Sequence, residues 1–242
     1  MANYNVNNTT VNSLLSLIDE KRIAIPEIQR PFVWKSAKVR DLLDSLYNDY
    51  PVGYIITWRN PDARLKNGEL SEGKTILIDG QQRVTALMTA ISGQKVVDKK
   101  YNKKKIPIAF DPINEIFEVS NPAIRKDKHW IPDISYIFSE DFYLFEFVED
   151  YCEKNSEIDR NTLSKILHKL ESIKHSSMGV IEFSHIEVVA DIYNDQNDEQ
   201  VTPADVKTCY LENRQPIEKA FVYLEDDHFD HRGIGSRQPR HN

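Results

Sequence analysis

The chain has 242 residues, 40% of them hydrophobic and 29% charged, with 8 Gly and 11 Pro. At ~100–200 residues per domain this is one large domain or two small ones, and the composition excludes collagen, low-complexity chains and wholesale disorder. The net charge of −7 is unevenly spread: residues 1–121 carry 17 Lys+Arg against 14 Asp+Glu, residues 122–242 carry 14 against 24, so an anionic ligand is expected on the first half.

No apolar run approaches the ~20 residues of a membrane helix. The first residues also lack the basic and apolar regions of a signal peptide. The expectation is a cytoplasmic protein with no membrane partner, in which the sequons at Asn7 and Asn8 carry no meaning. Cys152 and Cys209 stand in no metal-ligand spacing, which argues against a disulfide scaffold or zinc ribbon and for reduced core thiols.

Thr10 can cap a helix whose apolar residues Val11, Leu14, Leu15 and Ile18 follow the helical period. Ile23-Ala-Ile25 is a short strand ended by Pro26, since proline cannot donate to a ladder. Ser36 is read as the cap of a second helix, with Val39, Leu42, Leu43, Leu46 and Tyr47 on one face and Pro51-Val-Gly53 as its stop. Tyr54–Trp58 and Thr75–Ile78 read as strands; after Asp79-Gly80 the period becomes helical through Val84, Leu87, Met88 and Ile91, with Gly93 as C-cap. A basic turn from Asp98 to Lys105 leads to a strand at 106–110 and a hairpin partner at 116–119. From about Trp130 the pattern is mostly helical, over 141–152, 161–172, 185–195 and 202–212, interrupted by a strand at 179–183 that could return to the sheet. The last stretch, 226–242, has almost no apolar content and reads as a disordered tail. The predicted class is mixed α/β, with 1–125 as the α/β domain, 126–225 as a helical extension and 226–242 as the tail.

Gly68-Glu-Leu-Ser-Glu-Gly-Lys-Thr75 matches the phosphate-loop pattern letter for letter. That loop must follow a strand and open a helix, whereas Thr75 opens a β-branched strand and Glu69 and Glu72 would repel phosphate, so an ordinary polar turn is favoured. Asp79-Gly-Gln-Gln-Arg83 is more informative, because it joins a strand to a helix, where side chains and helix amides meet ligands. Gly80 permits close backbone approach, Arg83 can clamp a phosphate bidentately, and Gln81 and Gln82 can orient water, phosphate or a base. Asp79 can accept a proton, hold a metal or cap the helix; a capped turn with solvated glutamines is the bland alternative. In Ile25-Pro-Glu-Ile-Gln-Arg-Pro-Phe-Val-Trp34 the polar pair Gln29 and Arg30 is flanked by Phe32 and Trp34, which read as core anchors fixing it.

Three motifs, Ile-Pro-x-x-Gln-Arg-x-Phe-Val-Trp at 25–34, Tyr50-Pro-Val-Gly53 and Ile-Asp-Gly-Gln-Gln-Arg-x-Thr-x-Leu at 78–87, resemble the N-terminal domain of GmrSD-type, type IV restriction enzymes. The resemblance is dense over roughly 10–120. A weaker match at 191–205, containing Asn197 and Asp205, has Gln200 in place of the family's glycine and is about two residues short. The resemblance implies a ParB/sulfiredoxin-like fold and nucleoside-triphosphate hydrolysis, with Mg²⁺ as an optional companion, coupled to restriction of modified, often phage, DNA. It implies Asp79, Gln82 and Arg83 as catalytic residues, with Gln29, Arg30, Gly80 and Gln81 lining a phosphate or modified-base pocket. Full-length relatives carry a C-terminal HNH-type nuclease domain, which is expected to be missing here or supplied by a separate subunit.

Lys99, Lys100, Lys103, Lys104 and Lys105, with Tyr101 interleaved, form the best nucleic-acid footprint, against a solvated hairpin tip as the commoner meaning of such a run. His228 and His231 sit in the polar tail without a second ligand cluster, and no metal site is assigned. The competing functions are a non-catalytic DNA- or nucleotide-binding regulatory module and a ParB-like nuclease.

Overall fold

The computed structural model describes residues 4–25, 32–59, 75–97 and 102–184. Within them the chain is mixed α/β, as the hydrophobic periods require. It divides into two compact units: Met1–Arg30, Pro51–Gln81 and Ser177–Asn242 form one, Pro31–Tyr50 and Gln82–Ser176 the other.

The first unit is built on a five-stranded sheet in the order β1-β9-β3-β4-β2. Its strands are β1 (Tyr4–Thr10), β2 (Ile23–Ala24), β3 (Tyr54–Arg59), β4 (Thr75–Asp79) and β9 (Ser177–Phe183). Pairing is mixed: β1 runs antiparallel to β9, β9 parallel to β3, β3 antiparallel to β4, and β4 parallel to β2. The period-two alternation sorts the faces. Trp58, Ile76, Ile78 and Phe183 form one hydrophobic cluster with Ile56 and Ile181 against it. The helix α1 (Val11–Asp19) follows β1 directly, capped by Thr10, whose Oγ1 accepts the Ser13 N–H at 3.1 Å. Its C-terminus closes as a Schellman motif: Lys21 is left-handed at φ 58°, its N–H donates to the Ile18 carbonyl and the Arg22 N–H to that of Leu17. That closure places Arg22 just before β2.

The strand expected at 179–183 does return to the sheet, and lies between β1 and β3. Gly179 there faces the ring of Tyr54, and a Cβ added to it would stand 2.5 Å from Tyr54 Cδ1. Gly179→Ala is therefore expected to lower stability by about 1–3 kcal/mol through overpacking, read as a reduced urea midpoint with an unchanged slope.

The second unit packs α2 (Ser36–Tyr47) on a hairpin of β7 (Ile108–Asp111) and β8 (Ile116–Val119). The helix α3 (Gln81–Ala90) leads to the small ribbon β5 (Val96–Val97) and β6 (Lys103–Lys104), while α4 (Leu144–Lys154) packs on α5 (Arg160–Glu171). Tyr47, Phe110 and Phe117 form a ring cluster with centroids 4.8–5.5 Å apart. Lys35 rather than Ser36 occupies the N-cap of α2, without a side-chain hydrogen bond. The same helix stops earlier than Gly53: Asp49 takes the left-handed position at φ 56° and the Tyr50 N–H reaches back to the Ser45 carbonyl. Gly93, at φ 65°, is left-handed just past α3, as its C-cap assignment requires. The predicted helices at 185–195 and 202–212 and the tail at 226–242 lie outside the described residues.

Glu115, left-handed at the hairpin turn, accepts the Tyr47 hydroxyl at 2.6 Å and the Lys169 ammonium at 2.9 Å. The Tyr47 hydrogen bond, then that of Lys169, holds its carboxyl below the ordinary value of 4.5. A folded-state pKa below the unfolded one contributes stability above the unfolded value and loses it as pH falls through the folded value. Stability of this unit is expected to decline on acidification below that ordinary value, and Glu115→Gln to flatten the decline in pH-dependent melting curves.

Candidate functional site

β4 is a Thr-Ile-Leu-Ile run ending at Asp79, and the chain turns at Gly80 with φ 90° before α3 begins at Gln81. An L-residue with a side chain is strained at that φ, so the turn needs its glycine. The strand is irregular just before the turn: Leu77 stands opposite Thr57 but Asp79 stands opposite Ile56, leaving Ile78 as an extra residue. Such a bulge sharpens the local twist and re-aims the side chain that follows. The strand-to-helix expectation for 75–91 thus holds, and Thr75 opens a strand, not a helix, as the rejection of the phosphate-loop pattern assumed.

Asp79 is buried, at 5% exposed, and Gly80 is buried with it. Arg83 is half-buried in the first turn of α3, and both Asp79 and Arg83 already hold interactions. The first amides of a helix have no intrahelical acceptor and carry the positive end of its dipole. An arginine placed in that turn adds a full positive charge to the same end.

Gln82 is 2% exposed, and its Oε1 accepts the N–H of Val33 at 2.9 Å and that of Trp34 at 3.3 Å. The glutamine of one sequence motif therefore holds the backbone of the other. Phe32, 4% exposed, is fixed further by its own N–H on the Val97 carbonyl at 2.8 Å. Phe32 is the core anchor its sequence context suggested; Trp34 is only half-buried, with the Lys38 ammonium 5.8 Å from its ring centroid. Gln29 and Arg30 lie outside the described residues, immediately before this clasped segment.

Of the lysine run, Lys103 and Lys104 are exposed on β6, opposite Val97 and Val96. Lys105 is engaged: its ammonium meets Asp133 at 2.7 Å and Ser135 Oγ at 3.0 Å. Lys99 and Lys100, like His228 and His231, lie outside the described residues. Among the described residues no group of three or more His, Cys, Asp or Glu could hold a metal ion, and no helix is long and apolar enough to cross a membrane. Cys152 is a free, half-buried thiol whose pKa burial pushes up.

Sequence reasoning missed β1 and the polar cavity beside it, because their residues come from separate elements and form no motif. The only local signal was the alternation of Tyr4 and Val6, which are 49% and 55% exposed on this edge strand.

These features define a mixed α/β protein with an arginine-bearing strand–glycine–helix turn clasped to a second motif-bearing segment through one buried glutamine. The family model described as GmrSD restriction endonuclease, N-terminal domain, matches residues 11–211, and the chain belongs to that family. The matched span includes 191–205, outside the described residues. No curated protein matches the chain.

Proposed function

We propose that this protein is the nucleotide-dependent sensor part of a modification-dependent DNA restriction system, and that it hydrolyses a nucleoside triphosphate at the Asp79–Arg83 turn. The observation that carries the proposal is the turn itself: a strand ending at a buried carboxylate, a glycine at φ 90°, and an arginine in the first helical turn. Membership in a family named for a restriction endonuclease supplies the biological setting.

Phosphoryl transfer leaves little covalent work to the protein; positioning and charge stabilisation dominate. In the proposed mechanism the α3 amides and Arg83 receive the phosphates, and Arg83 offsets charge developing on the transferred group. Gly80 lets the backbone approach, and Gln81 completes the donor set. Asp79 is the carboxylate of the turn, and it would hold a Mg²⁺ accompanying the triphosphate or take the proton of the attacking water. Gln82 acts by positioning: its oxygen is occupied by Val33 and Trp34, so it sets the segment that follows Gln29 and Arg30. The exposed pair Lys103 and Lys104 gives salt-dependent contacts to DNA phosphates. A ParB/sulfiredoxin-like relationship is consistent with the strand-to-helix placement of the turn, and strand cleavage would come from an HNH-type nuclease on a separate domain or subunit.

The test is phosphate release from ATP, GTP, CTP and UTP with Mg²⁺, with and without modified DNA. Turnover of at least one triphosphate is expected; none under any condition would leave a non-catalytic binding module in its place.

A further inference from the structure

On the first unit, away from the turn, the α1-side face of the five-stranded sheet borders a half-open cavity of about 320 Å³. This lies at the small end of the ~300–1,000 Å³ typical of small-molecule sites. Thr57 and Arg59 of β3, Thr75 of β4, Val180 and Glu182 of β9, and Asn7 and Thr9 of β1 line one wall. Leu14 and Leu17 of α1, with Arg22 and Ile23, line the other. The register explains the grouping: Arg59 pairs with Thr75, Thr75 pairs on its other side with Ile23, and Thr57 lies beside Glu182. Thr75 and Asp79 are the two ends of β4, so at ~3.3 Å per residue the cavity is roughly 13 Å from the turn.

Three observations make this a built site rather than a packing gap. Two arginines line it, Arg59 at the end of β3 and Arg22 just before β2: among the described residues Arg59 is in no ion pair, and the Arg22 guanidinium pairs with Glu20 alone, at 3.8 Å and mostly in solvent. A carboxylate, Glu182, lies on the same wall without an ion-pair partner among the described residues. Thr57 is 1% exposed, and its hydroxyl is buried with no hydrogen-bond partner among the described residues. Buried polar groups are nearly always satisfied, and an orphan at a cavity wall suggests a missing ligand or water.

The ligand that fits must carry an anion for the arginines, N–H donors for a carboxylate, which can only accept, and a flat apolar body for Leu14, Leu17 and Val180. Guanine presents two adjacent N–H donors on one edge, which a carboxylate can accept together. We propose that this cavity binds a guanine nucleoside monophosphate, with its phosphate on Arg22 and Arg59 and its base edge on Glu182. This site is independent of the triphosphate turn.

The test is calorimetric titration of the full chain with GMP, AMP, CMP, UMP and inorganic phosphate, using wild type, Arg59→Ala, Glu182→Gln, Thr57→Val and Arg83→Ala. GMP is expected to bind at least about tenfold tighter than the other three nucleotides. Arg59→Ala should weaken it by about tenfold or more, and Glu182→Gln should erase the preference for guanine. Arg83→Ala should leave GMP binding unchanged, which separates this site from the turn. Thr57→Val should weaken GMP without lowering the melting temperature, because the hydroxyl it removes has no partner among the described residues. Absence of GMP binding to wild type would overturn the proposal. So would equal binding of inorganic phosphate and GMP, or loss of binding in Arg83→Ala with retention in Arg59→Ala.

Discussion

Arg83→Ala is expected to lower the rate of triphosphate hydrolysis by about 10²–10³-fold, the scale of losing one preorganised donor to a developing oxyanion. The loss should appear chiefly in kcat, because the α3 amides and the dipole still hold the ground-state phosphates when the side chain is gone. Arg83→Lys keeps the charge but loses the planar fork, and should recover only part of the rate. A variant in which KM rises while kcat stays constant would mean that Arg83 binds substrate and transition state equally. Arg83 is half-buried at the helix start and already engaged, so melting curves of the alanine and lysine variants separate the rate loss from any loss of stability.

The second large effect concerns Gln82. Gln82→Leu fills a similar volume but removes the one acceptor shared by the Val33 and Trp34 amides. Leaving a donor unsatisfied costs up to ~1–3 kcal/mol when it is buried, and these two are partly buried. The second bond is the longer, at 3.3 Å, so a combined loss of about 1–3 kcal/mol is expected in chemical unfolding. Exchange at the Val33 and Trp34 amides should accelerate even under native conditions. Gln82→Glu keeps an acceptor for both donors and should retain most of the stability, which separates loss of the clasp from loss of packing.

Much of the turn was legible because its signals are local. The change from β-branched Thr75–Ile78 to a helical period through Val84 and Leu87, with Gly80 between, requires no knowledge of the rest of the chain. The hairpin of β7 and β8 and the helices α4 and α5 were legible for the same reason. What sequence could not show was the clasp: Gln82 and Val33 are 49 residues apart, and the bond uses a backbone N–H, which leaves no mark on side-chain identity. β1 was missed because Asn5, Asn7 and Asn8 have low strand propensity; it forms through backbone pairing with β9, more than 160 residues away, in a seven-pair register. The stops of α1 and α2 fell on Lys21 and Asp49, where hydrogen-bonded Schellman closures hold residues other than glycine left-handed. Lys105 read as part of a free basic run, but Asp133, distant in sequence, takes its charge.

Hydrogen exchange of the full chain with and without a non-hydrolysable triphosphate and Mg²⁺ locates the nucleotide independently of turnover. Protection is expected at the amides of Gly80 to Arg83, extending to Val33 and Trp34 through the Gln82 clasp. Protection confined to strands β3 and β9 around Thr57 and Glu182, or no protection at the turn at a concentration where the triphosphate binds, would contradict the assignment of the Asp79–Arg83 turn as the triphosphate site.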